Sequence, residues 1–421
     1  MNRPTLDLTL FALIATAGCS DPAVSVDGDG GSTSSADSGP GPSAGGDAQD
    51  TTGGPTTVPS NDSSGTTESG ETLSAECGNG VVELDEACDD GNRTNADGCN
   101  TDCSVSGSVS WTWEPDEGSV AHVTVADDDT VYVAVLETTK TTMNLFQLSG
   151  EGELLEQWSV IGPRSPIAGG TVALEGGDLT VLDGQPIYAA DAVVRDEDGI
   201  YNQVIGLIVA PGPSGWETAE NDRFSIRLVA TTTGELVGCD GATMFKYSAT
   251  GEEIWRVEAV GCRAVVATPT GGLVTMGGDA VSAFDASGAL SWTVSQPAGN
   301  ALNGFRALTD APDGAVLVMQ QEIVDPIRLT SIGRFWHIDS SGVVLTTEDW
   351  EFPVFTMATD PDGNIFLPGS TRGMKAGTAK LNPEFERLWT IAIDSGLMAM
   401  DADSTGALFV ANPTGIVKLA P

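Results

Sequence analysis

The sequence predicts an all-β protein whose main body is a seven-bladed β-propeller closed by an N-terminal strand. A disordered linker and a small disulfide-rich module precede it. Three observations carry this. From about Gly107 onward, short runs of Val, Ile, Leu, Phe, Ala and Thr alternate with Asp, Gly and Thr turns, the pattern of strands and hairpins. The runs repeat as a unit: apolar stretch, turn, second apolar stretch, loop, third stretch, turn, then a stretch that usually carries Trp. The last unit lacks its fourth stretch, and an unassigned Trp-bearing stretch stands before the first.

The second stretches are TVYVAVL from Thr130, PIYAADA from Pro186, GELVGCD from Gly234, GGLVTMG from Gly271, GAVLVMQ from Gly314, GNIFLPG from Gly363 and GALFVAN from Gly406. Fourth stretches carry Trp158, Trp216, Trp255, Trp292, Trp350 and Trp389, one fewer than the second stretches. SVSWTWEP, with Trp111 and Trp113, supplies the missing strand from the other end. Sheets arranged in a circle and closed by one strand from the opposite terminus are the arrangement of a β-propeller. Residues 107–421 divided among seven units leave about 45 each, the size of a four-stranded blade. One Trp per unit at one place predicts a packing wedge between blades rather than a carbohydrate platform. The turns beginning at Asp310, Asp360 and Asp401 predict first-to-second-strand hairpins, since Asp and Gly there are ordinary turn chemistry.

Residues 1–19 have the shape of an export signal: Arg3, an apolar run from Leu8 to Ala15, then small residues and Cys19. Residues 20–75 hold no aromatic, Lys or Arg and only Val24, Val26, Val58 and Leu73 as large apolar residues. Such a segment cannot offset the entropy of ordering, so a flexible tether with a reach of roughly 40 Å is expected.

Residues 76–106 form the cysteine-rich module. Cys77, Cys88, Cys99 and Cys103 suit two disulfides in an exported protein, with three pairings open. Zinc is the rival ligand, disfavoured by an oxidising compartment. Asp89, Asp90, Asn92 and Asp97 offer oxygen ligands for calcium, or the side chains of Asx-turns. Cys239 and Cys262 fall in adjacent units and predict an inter-blade disulfide. One acylated Cys and three pairs would then account for all seven cysteines.

Three resemblances extend this reading. Thr16-Ala17-Gly18-Cys19 resembles a bacterial lipobox, which implies acylation at Cys19 and anchoring at the outer membrane or cell surface. The run CGNG, CDDGN, DGC and a final Cys resembles the cysteine-rich repeat of myxobacterial surface proteins and implies an extracytoplasmic module with no chemistry of its own. Residues 357–393, with DPDGN, AKL and LW, resemble the propeller repeats of bacterial exported proteins and, more distantly, the pyrroloquinoline-quinone-type propellers, including outer-membrane assembly lipoproteins. Lys246, Lys380 and Lys418 recur at matching third-strand places.

The chain carries 60 Asp and Glu against 18 Lys and Arg, which argues against nucleic acid or anionic lipid headgroups as primary partners. No Gly-x-Ser-x-Gly elbow, zinc-protease motif or Walker loop occurs, and no catalytic residue can be assigned. The two His residues, His122 and His337, read as strand residues. No cofactor is expected apart from calcium in the cysteine-rich module. Ligands of propellers meet the face made by second-to-third-strand and blade-to-blade loops. On that face the sequence places Lys140, Arg164, Arg195, Tyr201, Arg223, Arg328, Arg372 and Lys375, a less negative surface for an acidic or polar ligand. The expected function is therefore that of a lipid-anchored binding or scaffold protein presenting this face to an envelope protein or glycan. The alternatives are a lyase or glycan-cleaving enzyme using carboxylates in the propeller mouth, and an outer-membrane assembly factor.

Overall fold

The computed structural model describes residues 77–83, 86–93, 98–212, 215–221, 225–258, 261–296, 304–311, 314–325, 330–351, 353–369, 377–393 and 397–421. Cys19 and the expected tether at 20–75 lie outside the described residues, as do Asp97, Arg223, Arg328, Arg372 and Lys375.

Among the described residues, 28 strands, β1 to β28, pair antiparallel into seven four-stranded sheets. β1 (Val109–Trp113) is set aside for the last sheet. Blade 1 is β2 (Ser119–Val125), β3 (Val131–Leu136), β4 (Thr142–Leu148) and β5 (Leu154–Ile161). Blade 2 is β6 (Thr171–Leu182), β7 (Gln185–Arg195), β8 (Tyr201–Ala210) and β9 (Trp216–Asn221). Blade 3 is β10 (Arg227–Ala230), β11 (Glu235–Cys239), β12 (Thr243–Ser248) and β13 (Glu253–Glu258). Blade 4 is β14 (Ala264–Ala267), β15 (Leu273–Met276), β16 (Ala280–Phe284) and β17 (Leu290–Ser295). Blade 5 is β18 (Gly304–Asp310), β19 (Val316–Asp325), β20 (Thr330–Ile338) and β21 (Val344–Trp350). Blade 6 is β22 (Ala358–Thr359), β23 (Ile365–Gly369), β24 (Gly377–Leu381) and β25 (Arg387–Ala392).

Blade 7 decides the architecture. Its own β26 (Ala399–Ala402), β27 (Leu408–Asn412) and β28 (Gly415–Leu419) are completed by β1, with Thr112 opposite Val417 and Trp113 opposite Ile416. The chain is a seven-bladed β-propeller closed by its early strand.

Burial explains why the blades form a ring. The second strands are apolar on both faces, because each blade is covered on both sides; Val131, Val133, Ala134 and Val135 of β3 are fully buried. The described core falls into seven clusters, and each bridges two successive blades. The closing cluster joins Val120, Val123 and Val133 of blade 1 to Phe409 and Ile416 of blade 7, with Trp111 and Trp113 packed against it. A sheet with two apolar faces cannot be stable alone, and closure gives every face a partner.

Among the described residues, tryptophans reinforce four of the junctions by a repeated clasp. The indole N–H groups of Trp111, Trp216, Trp255 and Trp292 donate to backbone carbonyls at Gly150, Ala249, Ala286 and Ser340. Those carbonyls lie in the third-to-fourth-strand turn of the following blade. Each ring then covers a turn glycine of positive φ: Gly152, Gly251, Gly288 and Gly342. Trp389 covers Gly107 in the same way, at the entry to β1. Arg387 of blade 6 lies over the Trp350 ring of blade 5.

Two long connections in the sequence are largely strand. VVRDEDGIYNQ splits into the end of β7 and the start of β8, leaving residues 196–200 as the turn. QEIVDPIRLTSIG likewise splits between β19 and β20. Val193 and Val194 of the first are buried in β7.

The cysteine-rich module carries Cys77–Cys103 and Cys88–Cys99 disulfides, and a third disulfide joins Cys239 of blade 3 to Cys262 at the entry to blade 4. Such bonds fit an oxidising, extracytoplasmic compartment. Among the described residues no helix is long and apolar enough to cross a membrane.

Candidate functional site

The innermost strands β2, β6, β10, β14, β18, β22 and β26 line one central channel, and they all run in the same direction along it. Their upstream ends enclose a cavity of about 510 Å³, to which all seven blades contribute.

Its wall is divided by chemistry around the ring. Blades 3, 4 and 5 supply Arg227, Arg263 and Arg306. Blades 6 and 7 supply Phe355, Met357, Met398 and Met400. Blades 1 and 2 supply His122 and Asp178, whose Nε2 and Oδ1 are 3.0 Å apart.

Local irregularities aim these side chains. The β18–β19 register passes from the Phe305–Gln320 pair to Ala307–Met319, so Arg306 stands in a β-bulge. The Arg263 N–H donates to the Met276 carbonyl, the residue that Ala264 also faces. A register shift between Val120 and His122 breaks β2, and another between Glu175 and Asp178 breaks β6. That second break holds Gly176 and Gly177, both at positive φ, and a Cβ on Gly177 would collide with the Tyr188 hydroxyl. Bulges re-aim single side chains without ending the sheet.

The three arginines differ in their surroundings. Arg227 donates to the Gly177 carbonyl at 3.3 Å and feels the charges of Asp178 and Asp191. Arg306 donates through Nε to Gln321 Oε1 at 2.8 Å; burial and the neighbouring Arg263 push its pKa down from the usual guanidinium value. Arg263 is exposed. The like charge of Arg263 beside Arg306 is an unfavourable interaction that an anion held near both would relieve.

Asp178 is the one acid among the described residues of this cavity wall. Burial would raise its pKa, but the bond with His122, the charges of His122 and Arg227, and the Leu228 N–H at 2.7 Å hold it below the ordinary value. His122 faces Asp178 through Nε2, and its Nδ1 is enclosed with no hydrogen-bond partner. The pair ties blade 1 to blade 2. Asp191, beside Arg227, accepts the Ser225 N–H; burial raises its carboxyl above the ordinary range.

The downstream end has the opposite character. Asp127, Asp310, Asp360, Asp401 and Asp403 line a second cavity of about 480 Å³ there. Asp360 pairs with Lys380 at 3.0 Å and Asp403 with Lys418 at 3.1 Å, while Lys246 pairs with Glu235 in blade 3. Asp401 is partly buried and desolvation raises its pKa, although Val125 N–H, Ala402 N–H and the Thr124 hydroxyl bond to it. The channel is thus cationic at one mouth and anionic at the other.

The sequence-derived face is only partly assembled. Lys140 lies in the β3–β4 turn, Arg164 between β5 and β6, and Arg195 and Tyr201 at the ends of β7 and β8. None of these four lines the cavity, and Arg195 faces Glu175 at 3.8 Å. The three channel arginines were not among the expected residues. Their signal was an Arg between apolar neighbours in corresponding first stretches: Ile226-Arg227-Leu228, Cys262-Arg263-Ala264 and Phe305-Arg306-Ala307. In the cysteine-rich module, Asp89 accepts the N–H groups of Gly78, Asn79, Gly80 and Gly91, and these bonds hold its pKa low against burial. Asp90 accepts from Asn92 and Cys99.

No protein-family model matches the chain, and no curated protein matches it. Among solved structures it is similar to the WD40 β-propeller domain of Doa1, at 13% identity over 74% of this chain and 96% of that one, TM-score 0.49. It is similar to streptogramin B lyase at 12% identity over 74% and 97%, TM-score 0.49. It is similar to the Neurospora crassa Pan2 WD40 domain at 10% identity over 72% and 90%, TM-score 0.46. Likenesses this distant carry no argument about activity.

Proposed function

We propose that this is an exported binding protein that takes an anionic group of its ligand or partner at the upstream mouth of the propeller channel. One observation supports the reading above the others: Arg227, Arg263 and Arg306 converge on one cavity in a domain where acidic residues greatly outnumber basic ones. Sixteen Lys and Arg are spread over residues 107–421, so three in one cavity wall from three successive blades is a concentrated positive field. Guanidinium groups suit carboxylate and phosphate by their planar, forked donors.

Binding is favoured over turnover by the acids. A glycan-cleaving site needs two carboxylates set against the substrate, whereas the cavity wall presents Asp178 alone among its described residues. Acylation at Cys19 and an outer-membrane or surface location complete the proposal. Fatty-acid labelling of wild type against Cys19→Ala tests that part, and equal label in both would remove it.

The mouth is tested by calorimetric titration of the full chain with sodium sulfate and sodium acetate. Charge-assisted hydrogen bonds are worth about 1.5–3 kcal/mol each, so replacing Arg227, Arg263 and Arg306 together by Gln should lower anion affinity at least tenfold while the fold persists. Equal affinity in the triple variant would refute the site.

A further inference from the structure

Resting on the anion reading, we infer that the mouth binds an amphipathic anion: one carboxylate or phosphate head carrying an aliphatic chain. The argument comes from the half of the wall that the arginines do not use. Phe355 is 69% exposed and Met398 is 52% exposed, and both line the cavity beside the more buried Met357 and Met400. An exposed Phe or Met on an outer surface needs no explanation, but here two exposed and two more buried apolar residues from two adjacent blades line one side of the same cavity, an apolar arc of its wall.

This arc begins at blade 6, directly after the arginine of blade 5, because β18 neighbours β22 and β22 neighbours β26 around the channel. A ligand can therefore hold its head against Arg263 and Arg306 while its chain lies on Phe355 and Met398. Met side chains are flexible and polarisable and mould to aliphatic chains of varied shape. The cavity volume of about 510 Å³ falls within the range of small-molecule sites, with a few polar groups fixing orientation and an apolar wall giving affinity. A polyanion such as a nucleic acid would leave the apolar arc unused and meet the repulsion of the surrounding acidic surface.

The test uses the full chain and five probes: decanoate, decyl phosphate, acetate, inorganic phosphate and decanol, each below any micelle concentration, in calorimetric titrations. The variants are Arg263→Gln on one side and Phe355→Ser with Met398→Ser on the other, all exposed positions whose replacement leaves the blades intact. Decanoate or decyl phosphate should bind at least tenfold more tightly than its chainless counterpart and than decanol. The Arg263→Gln variant should weaken every anion. The double Ser variant should weaken only the chain-bearing ones. If acetate and inorganic phosphate bind as well as the decyl compounds, or the double Ser variant changes nothing, the amphipathic assignment fails while the anion site stands. If decanol binds as tightly as decanoate and Arg263→Gln has no effect, both fail.

Discussion

Trp111 donates its indole N–H to the Gly150 carbonyl of blade 1 at 2.9 Å, and its ring lies across Gly152. Trp111 stands on β1, which completes blade 7, so this contact spans the junction where the ring is sealed. Lys418 Nζ donates to the same carbonyl at 3.1 Å while pairing with Asp403. One backbone oxygen therefore gathers the first blade, the closing strand and the last blade's own third strand.

Trp111→Ala should cost about 2–4 kcal/mol, somewhat less than for a fully buried Trp, read as a lower urea midpoint. Gly152→Ala should also destabilise. Its φ of +84° is unfavourable for a side chain by about 1–2 kcal/mol, and the added Cβ would stand 2.9 Å from the Trp111 ring. The two losses should be less than additive, since either change opens the same clasp. Fully additive effects would mean that the clasp is not a unit.

Lys380 and Asp360 form an ion pair in which both side chains are 1% exposed. Lys380→Met should cost about 3–5 kcal/mol by leaving a buried carboxylate without its cation. Combining it with Asp360→Asn should restore part of that stability, because the Asn retains a side-chain oxygen to accept the turn N–H groups of Asp362 and Asn364. Denaturant unfolding of the single and double variants checks this.

The Cys239–Cys262 disulfide closes a separation of 23 residues across the blade 3–blade 4 junction, one residue from Arg263. Replacing both cysteines by Ala should cost about 2–4 kcal/mol. It should also weaken anion binding, because it releases the backbone that carries Arg263. Calorimetric affinities with and without the bond measure the coupling.

Asp178 gives a pH signature. Its folded-state pKa lies below the ordinary value, so the ionised carboxyl is favoured by folding. That stabilisation is fully present above the unfolded pKa of about 3.9 and is lost as pH falls through the lower folded value. The melting-temperature gap between wild type and Asp178→Asn should shrink as the buffer is acidified below about pH 4. A gap that widens on acidification would reverse the assigned sign.

The ring was legible because its evidence is arithmetic: six fourth-stretch tryptophans against seven second stretches left one strand to be found, and Trp111 and Trp113 marked it. The lysine repeat was visible too, but not its partners: Asp360 and Asp403 come from first-to-second-strand turns that read only as turn chemistry, and Glu235 opens the second strand β11. Blade 2 was obscured by length: β6 and β7 run for 12 and 11 residues, and the Gly176–Gly177 break interrupts the alternation. The mouth was least legible. Arg263 and Arg306 reach the channel at breaks in regular pairing, and a bulge shifts which face a residue occupies without marking the sequence.

The central claim is that closure brings Arg227, Arg263 and Arg306 around one anion-binding mouth. A crystal structure of the full chain with sodium selenate, phased to locate selenium, tests it most directly. The account predicts selenium between the guanidinium groups of these arginines. Selenium bound elsewhere on the protein, with that mouth empty, would contradict it.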